Sequence, residues 1–363
     1  MAKSFLFLPD ISGFTQFVQT TEVEHSQHVI AELLEVLIDA NTQDLKLAEV
    51  EGDALFFYKE GEIPSQEKLL AQIETMFTAF YSHLKLLETN RICPCNACAT
   101  AINLQLKIVA HCGELQFIEV HGSRKPFGQE VIEAHRLLKN SIESDNYALI
   151  SKKLASTIEL PIYYYSKFFR FKEGHDIYDG KEVGYIFSLL DQDKLQLNTF
   201  SHGRKVSFDG PPQLFFKKDF PISAAELMEF ITNYSYRHHW VKGVDNFEYN
   251  ENEVTRLGTE HACVINGKHL DFITVTKDVK PGQLVYGEMT TSPPPVDEAY
   301  QFYILTPVSD SSCILEVQSY LKAKSWPKKV LIALILKRIF KKNTQKSLEL
   351  LAQFVAEKSV VEP

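Results

Sequence analysis

The tightest constraint on this 363-residue chain sits near its start, in SFLFLPDISGFTQF, residues 4–17. Five small or apolar residues, Ser4–Leu8, run into Pro9. A single carboxylate, Asp10, follows, and then a Ser-Gly-Phe-Thr turn. The run reads as a buried strand that carries Asp10 to its end and turns sharply into a helix. A second carboxylate is placed in a similar way. In EVEGDALFFY, the strands Leu45–Val50 and Ala54–Tyr58 flank a hairpin turn that holds Asp53. Two carboxylates at strand ends can converge on a hard cation such as Mg²⁺, which takes oxygen ligands and leaves positions open for phosphate. Gly13 and Gly52, beside them, let the backbone approach a ligand. An aspartate at a strand end also serves as a turn or cap residue, so for each one taken alone both readings stand.

Length predicts two domains. The first half mixes helices and strands. Thr21–Glu24 forms a capping-box pattern ahead of Val29, Ile30, Leu33, Leu34, Leu37 and Ile38, which recur at helical spacing. Leu69–Leu87 is a second amphipathic helix and Gln129–Lys139 a third, with a strand pair, Leu104–Ala110 and Leu115–Val120, around His-Cys-Gly-Glu. The polar stretch DQDKLQLNTFSHGRKVSFDGPP lacks apolar periodicity, which marks a linker at 196–210 between domains 1–195 and 211–363. Beyond it come strands, two short helices near Ala224–Thr232 and Tyr236–Val241, and a long closing helix over Pro327–Glu357.

The motifs FLPDISGFT, EVEGDALFFY, LQLKIVAHCGEL and KPFGQEVIEAHRL follow one another in the order and spacing of class III nucleotide cyclase catalytic domains. The chain resembles that family over about residues 4–190, most clearly up to Asn140. The resemblance implies a ferredoxin-like α+β domain and a two-metal site for Mg²⁺ or Mn²⁺ on Asp10, Asp53 and the Ile11 carbonyl. It implies a bound nucleoside triphosphate near Gly13, Phe14, Thr15 and Gly52, with Arg136 as the transition-state arginine and Glu49 with Lys125 reading the base. It also implies a homodimer. There are departures. Ile132 replaces the asparagine that orients the ribose, and a Glu49–Lys125 ion pair would leave no base code. Nucleotide cyclisation and silent nucleotide binding are therefore both carried forward, and whether the chain is an enzyme stays open.

The second half resembles START-like (SRPBCC) helix-grip domains over about residues 208–360, best in FPISAAELMEFITNYSYRHHWVKGV. That resemblance implies an apolar cavity for a hydrophobic small molecule, one that tunes the first domain or is simply bound and carried. Its lining would come from Phe230, Trp240, Phe272, Tyr286, Phe302, Tyr303 and Leu336, with TSPPPVD a rigid loop at the mouth. Apart from these resemblances, Cys93, Cys95 and Cys98 crowd into CPCNAC. Zinc held by these thiols, with Cys112, His111 or His121 completing a tetrahedron, is one reading; reduced thiols in a loop is the other. His25 and His28 share a helix face, as a ligand face or a solvated flank.

Net charge of −9 argues against a nucleic-acid binder. The opening MAKSFLFLPD is too short an apolar run for a secretory leader, and the longest apolar run, Val330–Leu336, is far below membrane-spanning length. A cytoplasmic protein is expected. The lysines and arginine around that run (Lys328, Lys329, Lys337, Arg338, Lys341, Lys342) suit either an anionic membrane surface or, better, a helix packed on a sheet.

Overall fold

The computed structural model describes residues 3–21, 23–200, 204–251, 253–265, 267–291, 296–331 and 337–361. The chain divides into two compact units. One comprises Met1–Glu88 and Ala99–Thr199; the other comprises Thr89–Cys98 and Phe200–Pro363. The boundary near Thr199 falls inside the expected linker, whereas the cysteine-bearing segment groups with the second unit. Both units are mixed α+β.

The strands of the first unit are β1 (Ser4–Ser12), β2 (Lys46–Glu51), β3 (Ala54–Lys59), β4 (Gln105–Gly113), β5 (Gln116–Val120), β6 (Ser123–Phe127), β7 (Tyr147–Ser151), β8 (Lys172–Tyr178) and β9 (Lys181–Leu189). Its helices are α1 (Phe14–Thr20), α2 (Val23–Asp39), α3 (Gln66–Thr89), α5 (Gln129–Leu137) and α6 (Lys152–Thr157), while α4 (Asn96–Thr100) begins in the segment grouped with the second unit. Seven strands form one sheet in the order β2-β3-β1-β4-β7-β9-β8, with β4 and β7 parallel and every other pair antiparallel. Central β1 is buried almost throughout, which is why its sequence runs nearly continuously apolar. Successive strand residues face opposite sides. Leu6 and Leu8 therefore pack with Val109, Ala134, Leu137, Tyr147 and Leu149 on the α5 side. Asp10 continues that same alternation.

Two expectations are corrected here. The strands on either side of His-Cys-Gly-Glu do not pair with each other. β4 joins the main sheet between β1 and β7, and β5 pairs with β6 in a separate two-stranded sheet. Thr21, read as the start of a capping box, instead closes α1 by donating from its hydroxyl to the Phe17 carbonyl; the Glu24 side chain lies outside the described set.

In the second unit, β10 (Leu214–Phe220), β11 (Asn246–Glu248), β12 (Glu260–Ile265), β13 (Lys268–Val275), β14 (Leu284–Thr291), β15 (Glu298–Ser309) and β16 (Ser312–Lys322) form a fully antiparallel sheet. Its order is β10-β16-β15-β14-β13-β12-β11. The helices are α7 (Ala224–Thr232), α8 (Tyr234–Trp240), α9 (Trp326–Leu331) and α10 (Lys337–Val361). Leu348, Leu351, Phe354 and Val355 of α10 share a core with α7, Trp240 and the inner faces of β14–β16. Most of the apolar run Val330–Leu336 and of TSPPPVD lies outside the described residues. No helix among the described residues is long and apolar enough to cross a membrane.

Candidate metal and nucleotide site

Asp10 lies directly across from Ala54 of β3 on one side and Lys107 of β4 on the other. Asp53 sits in the β2–β3 turn next to Ala54. The Ile11 N–H donates to the Asp53 carbonyl at 3.0 Å, which ties the two aspartate segments together. Long-range strand pairing thus converges the two carboxylates.

Their electrostatics are unusual. Burial pushes the Asp10 carboxyl up to about 6, Lys107 partly offsets this, and the neighbouring Asp53 charge adds to the rise. Burial also raises Asp53, against its own backbone hydrogen bond and Lys107. Lys107 Nζ stands 3.4 Å from Asp10 Oδ1. Two carboxylates thus repel each other in a partly desolvated place, where a cation relieves the repulsion. Carboxylates are the hard oxygen donors that Mg²⁺ and Mn²⁺ select, so the residues fit such an ion. Lys107 was missed from the sequence, since only the β1–β4 register reveals it.

Beyond Asp10 the chain turns at Gly13, whose φ of 87° is left-handed and explains the glycine. Gly13 and Thr15 are exposed and Phe14 is half-buried. Gly52 (φ 71°) is likewise exposed in the hairpin turn.

The other residues expected at a nucleotide site are held in ion pairs or exposed. Lys125 Nζ donates to Glu49 Oε1 at 3.0 Å, so the two base-reading candidates form an ion pair. Arg136 is paired with Asp179 on the surface. Ile132 is 51% exposed on α5, an apolar side chain held in solvent.

The His-x-Gly pattern of β4 has a structural explanation. Buried His111 bridges Ser151 Oγ (2.8 Å from Nδ1) and Glu130 Oε2 (2.9 Å from Nε2), while Lys153 donates to Glu130 Oε1 at 2.6 Å. A Cβ on Gly113 would lie 2.2 Å from the Glu130 side chain, so glycine there makes room for this network. The hydrogen bond from His111, against the cost of burial and with help from Lys153, holds the Glu130 carboxyl down at about 2. This seats the start of α5 against the sheet. The sequence named His111 but not Glu130.

Cys93, Cys95 and Cys98 have sulfurs within 4.8 Å of one another and make a candidate thiolate ligand group within the second unit. Cys93 and Cys95, together with burial, push the Cys98 thiol far up, since a charge on it would stand against two neighbouring sulfurs. The fourth ligands considered from sequence are engaged elsewhere. Cys112 is buried with its sulfur 3.8 Å from Thr157 Oγ1, and His111 is fixed as described. His121 stands exposed at φ 49° in the β5–β6 turn.

The second unit contains a cavity of about 330 Å³. Trp240, Phe272 and Tyr303 line it, as do Cys263, Val317 and Leu321. Phe230 and Tyr286 pack instead in the core beneath α10, and Phe302 packs in a second cluster with Tyr300 and Tyr320. Leu336 lies outside the described residues.

A model of the family described as "Protein of unknown function (DUF2652)" matches residues 30–147. The uncharacterized protein Rv2561/Rv2562 of Mycobacterium tuberculosis is 32% identical over 130 residues, 36% of this chain and 60% of that protein. The match thus spans less than two thirds of its relative. The solved adenylyl cyclase CyaB of P. aeruginosa is 19% identical, covering 52% of this chain and 94% of its own, with a TM-score of 0.39. The guanylyl cyclase Cya2 is 15% identical at the same 52% coverage, 91% of its own chain, also at 0.39. A Thalictrum norcoclaurine synthase point mutant is 12% identical over 40% of this chain and 94% of its own, at 0.32. At TM-scores below 0.5, these likenesses carry no weight beside the strand order and side chains described above.

Proposed function

We propose that the first unit binds a nucleoside triphosphate through a divalent metal ion held by Asp10 and Asp53. The observation that carries this is the pairing of two partly buried carboxylates, both with raised pKa, at the mouth of an exposed glycine turn. Bound Mg²⁺ or Mn²⁺ would supply positive charge to the phosphates. Asp10 and Asp53 anchor it, with the Ile11 carbonyl as a third oxygen donor. Gly13, Phe14, Thr15 and Gly52 offer exposed or half-exposed backbone to the phosphate oxygens. Lys107 balances Asp10 until the ion arrives.

Binding without turnover is the reading that the surrounding contacts favour. Ile132 cannot hydrogen-bond a ribose, Lys125 neutralises Glu49, and Arg136 is held by Asp179. A functional homodimer belongs to the same proposal, and so does tuning of nucleotide binding by a hydrophobic molecule in the second unit. Zinc on the thiols of Cys93, Cys95 and Cys98 is a separate structural proposal, resting on their mutual crowding.

The test is incubation of the purified protein with each of the four NTPs and Mn²⁺ or Mg²⁺, reading both binding and cyclic product. Saturable, metal-dependent binding with no cyclic product is expected. A cyclic nucleotide lost in the Asp10→Ala/Asp53→Ala variant would overturn silent binding in favour of cyclisation; no binding under any condition would overturn both.

A further inference from the structure

The cavity of the second unit has a polar floor that its own side chains leave incomplete. Arg237, at 2% exposure, donates from Nη1 to Glu288 Oε1 and from Nε to the Ile231 carbonyl at 3.0 Å. Tyr286 OH donates to the same Glu288 oxygen at 2.6 Å, and Tyr234 OH stands 3.1 Å from Tyr286 OH. Glu288 is therefore well supplied and Arg237 is not. Arg237 Nη2 is buried without a hydrogen-bond partner among the described residues, and so are Thr290 Oγ1 and Ser319 Oγ. Arg237, Thr290 and Ser319 all line the cavity, whose other walls include the apolar Trp240, Phe272, Val317 and Leu321, with Lys242 an exposed cation at its side.

A buried donor left unpaired is costly, and buried polar groups in native proteins are nearly always satisfied. Three such groups on residues that line one void point to a partner whose entry, with a turn of these side chains toward it, would satisfy them. The partner's chemistry follows from the donor set. Arg237 Nη2 can only donate, and both hydroxyls can donate, so together they suit an oxygen acceptor. Glu288 already balances the Arg237 charge, so beside this pair an anionic headgroup would bring a charge without its own counter-ion into a place of low dielectric. The walls require an apolar body, and the volume is at the lower end of small-molecule pockets, roughly 300–1,000 Å³.

We propose that this cavity recognises an uncharged, largely apolar molecule through one carbonyl-type oxygen received by Arg237, Thr290 and Ser319. The Arg237–Glu288 pair acts as a neutral anchor that rejects both the bare hydrocarbon and the carboxylate. The proposal rests on the reading of the second unit as a hydrophobic-ligand domain and adds the polar group that the ligand must carry.

The test uses the full-length protein and Nile red as a reporter, displaced by three compounds of matched shape: fluorene, fluorenone and fluorene-9-carboxylate. Fluorenone should compete about tenfold or more better than fluorene, in line with the cost of one buried unpaired group. Fluorene-9-carboxylate should be weaker than fluorenone. Thr290→Val and Ser319→Ala, which preserve volume closely, should each erode the preference for fluorenone while leaving fluorene unchanged. Equal affinity for fluorene and fluorenone, or tighter binding of the carboxylate, would overturn the anchor and leave the apolar cavity standing. Failure of Nile red and all three compounds to bind would overturn the hydrophobic-ligand reading along with it.

Discussion

Asp10→Asn is the substitution whose consequence can be worked out most fully. The carboxyl sits at about 6 in the folded protein against an ordinary value of 3.8. A raised folded pKa means that the folded state holds its proton more tightly than the unfolded chain. Its favourable contribution is complete below pH 3.8 and is lost as the pH rises through 6. The difference of about 2 pH units corresponds to roughly 3 kcal/mol at neutral pH, an order-of-magnitude figure at 1.36 kcal/mol per unit. Asparagine has no charge to desolvate, so it escapes this loss, although Lys107 then loses its partner at 3.4 Å and returns part of the gain. Without metal, Asp10→Asn should thus be more stable than the wild type by about 1–3 kcal/mol at pH 7.5, and the gap should close as the pH falls towards 4. The assay is urea denaturation across pH 4–8 in the presence of chelator. A gap independent of pH, or a variant less stable than the wild type at pH 7.5, would refute the claim that burial and Asp53 strain this carboxylate.

Other outcomes follow from the same contacts. Glu130→Gln removes a carboxylate held at about 2; the wild type's advantage of up to about 3 kcal/mol should be present above pH 4.5 and fade as the pH falls towards 2, read by acid denaturation of both proteins. Gly113→Ala places a methyl against Glu130 and should cost about 1–3 kcal/mol by overpacking, with the loss softened in a Gly113→Ala/Glu130→Ala double variant. Arg237→Met alone should cost about 3–5 kcal/mol by stranding Glu288, whereas Arg237→Met/Glu288→Leu should recover most of it; equal losses in both would show that the pair has no mutual dependence. Purified protein should contain about one zinc per chain, lost in Cys95→Ser/Cys98→Ser, if the crowded thiols form a zinc site; metal analysis near zero in the wild type would reject it.

The local grammar of the first unit was readable because its signals are short-range. Continuous apolar residues made β1, Glu-Gly-Asp made the β2–β3 turn, and helical spacing made α2, α3 and α5. What escaped depended on pairing between distant segments. No feature of residues 104–120 says that β4 leaves β5 to lie between β1 and β7, and Lys107 meets Asp10 only through that register. Nothing local to Glu130 on α5 marks it out, because its partners His111 and Gly113 lie on β4. In the second unit, nothing within Tyr-Arg-His-His-Trp marks Arg237 as buried, since arginine is seldom fully buried without a partner. Its partner, Glu288, is 51 residues away on β14. Aromatic content alone did not separate cavity lining, as for Phe272 and Tyr303, from packed core, as for Phe230, Tyr286 and Phe302.

The central claim is that Asp10 and Asp53 bring a metal-bound triphosphate to the first unit, and calorimetric titration of GTP and ATP with and without Mn²⁺ tests it most directly. The account predicts saturable binding of at least one nucleotide that requires Mn²⁺, is abolished in Asp10→Asn/Asp53→Asn, and survives Cys95→Ser/Cys98→Ser. Nucleotide binding that ignores both the metal and the two aspartates, or no heat from either nucleotide in a folded protein, would contradict it.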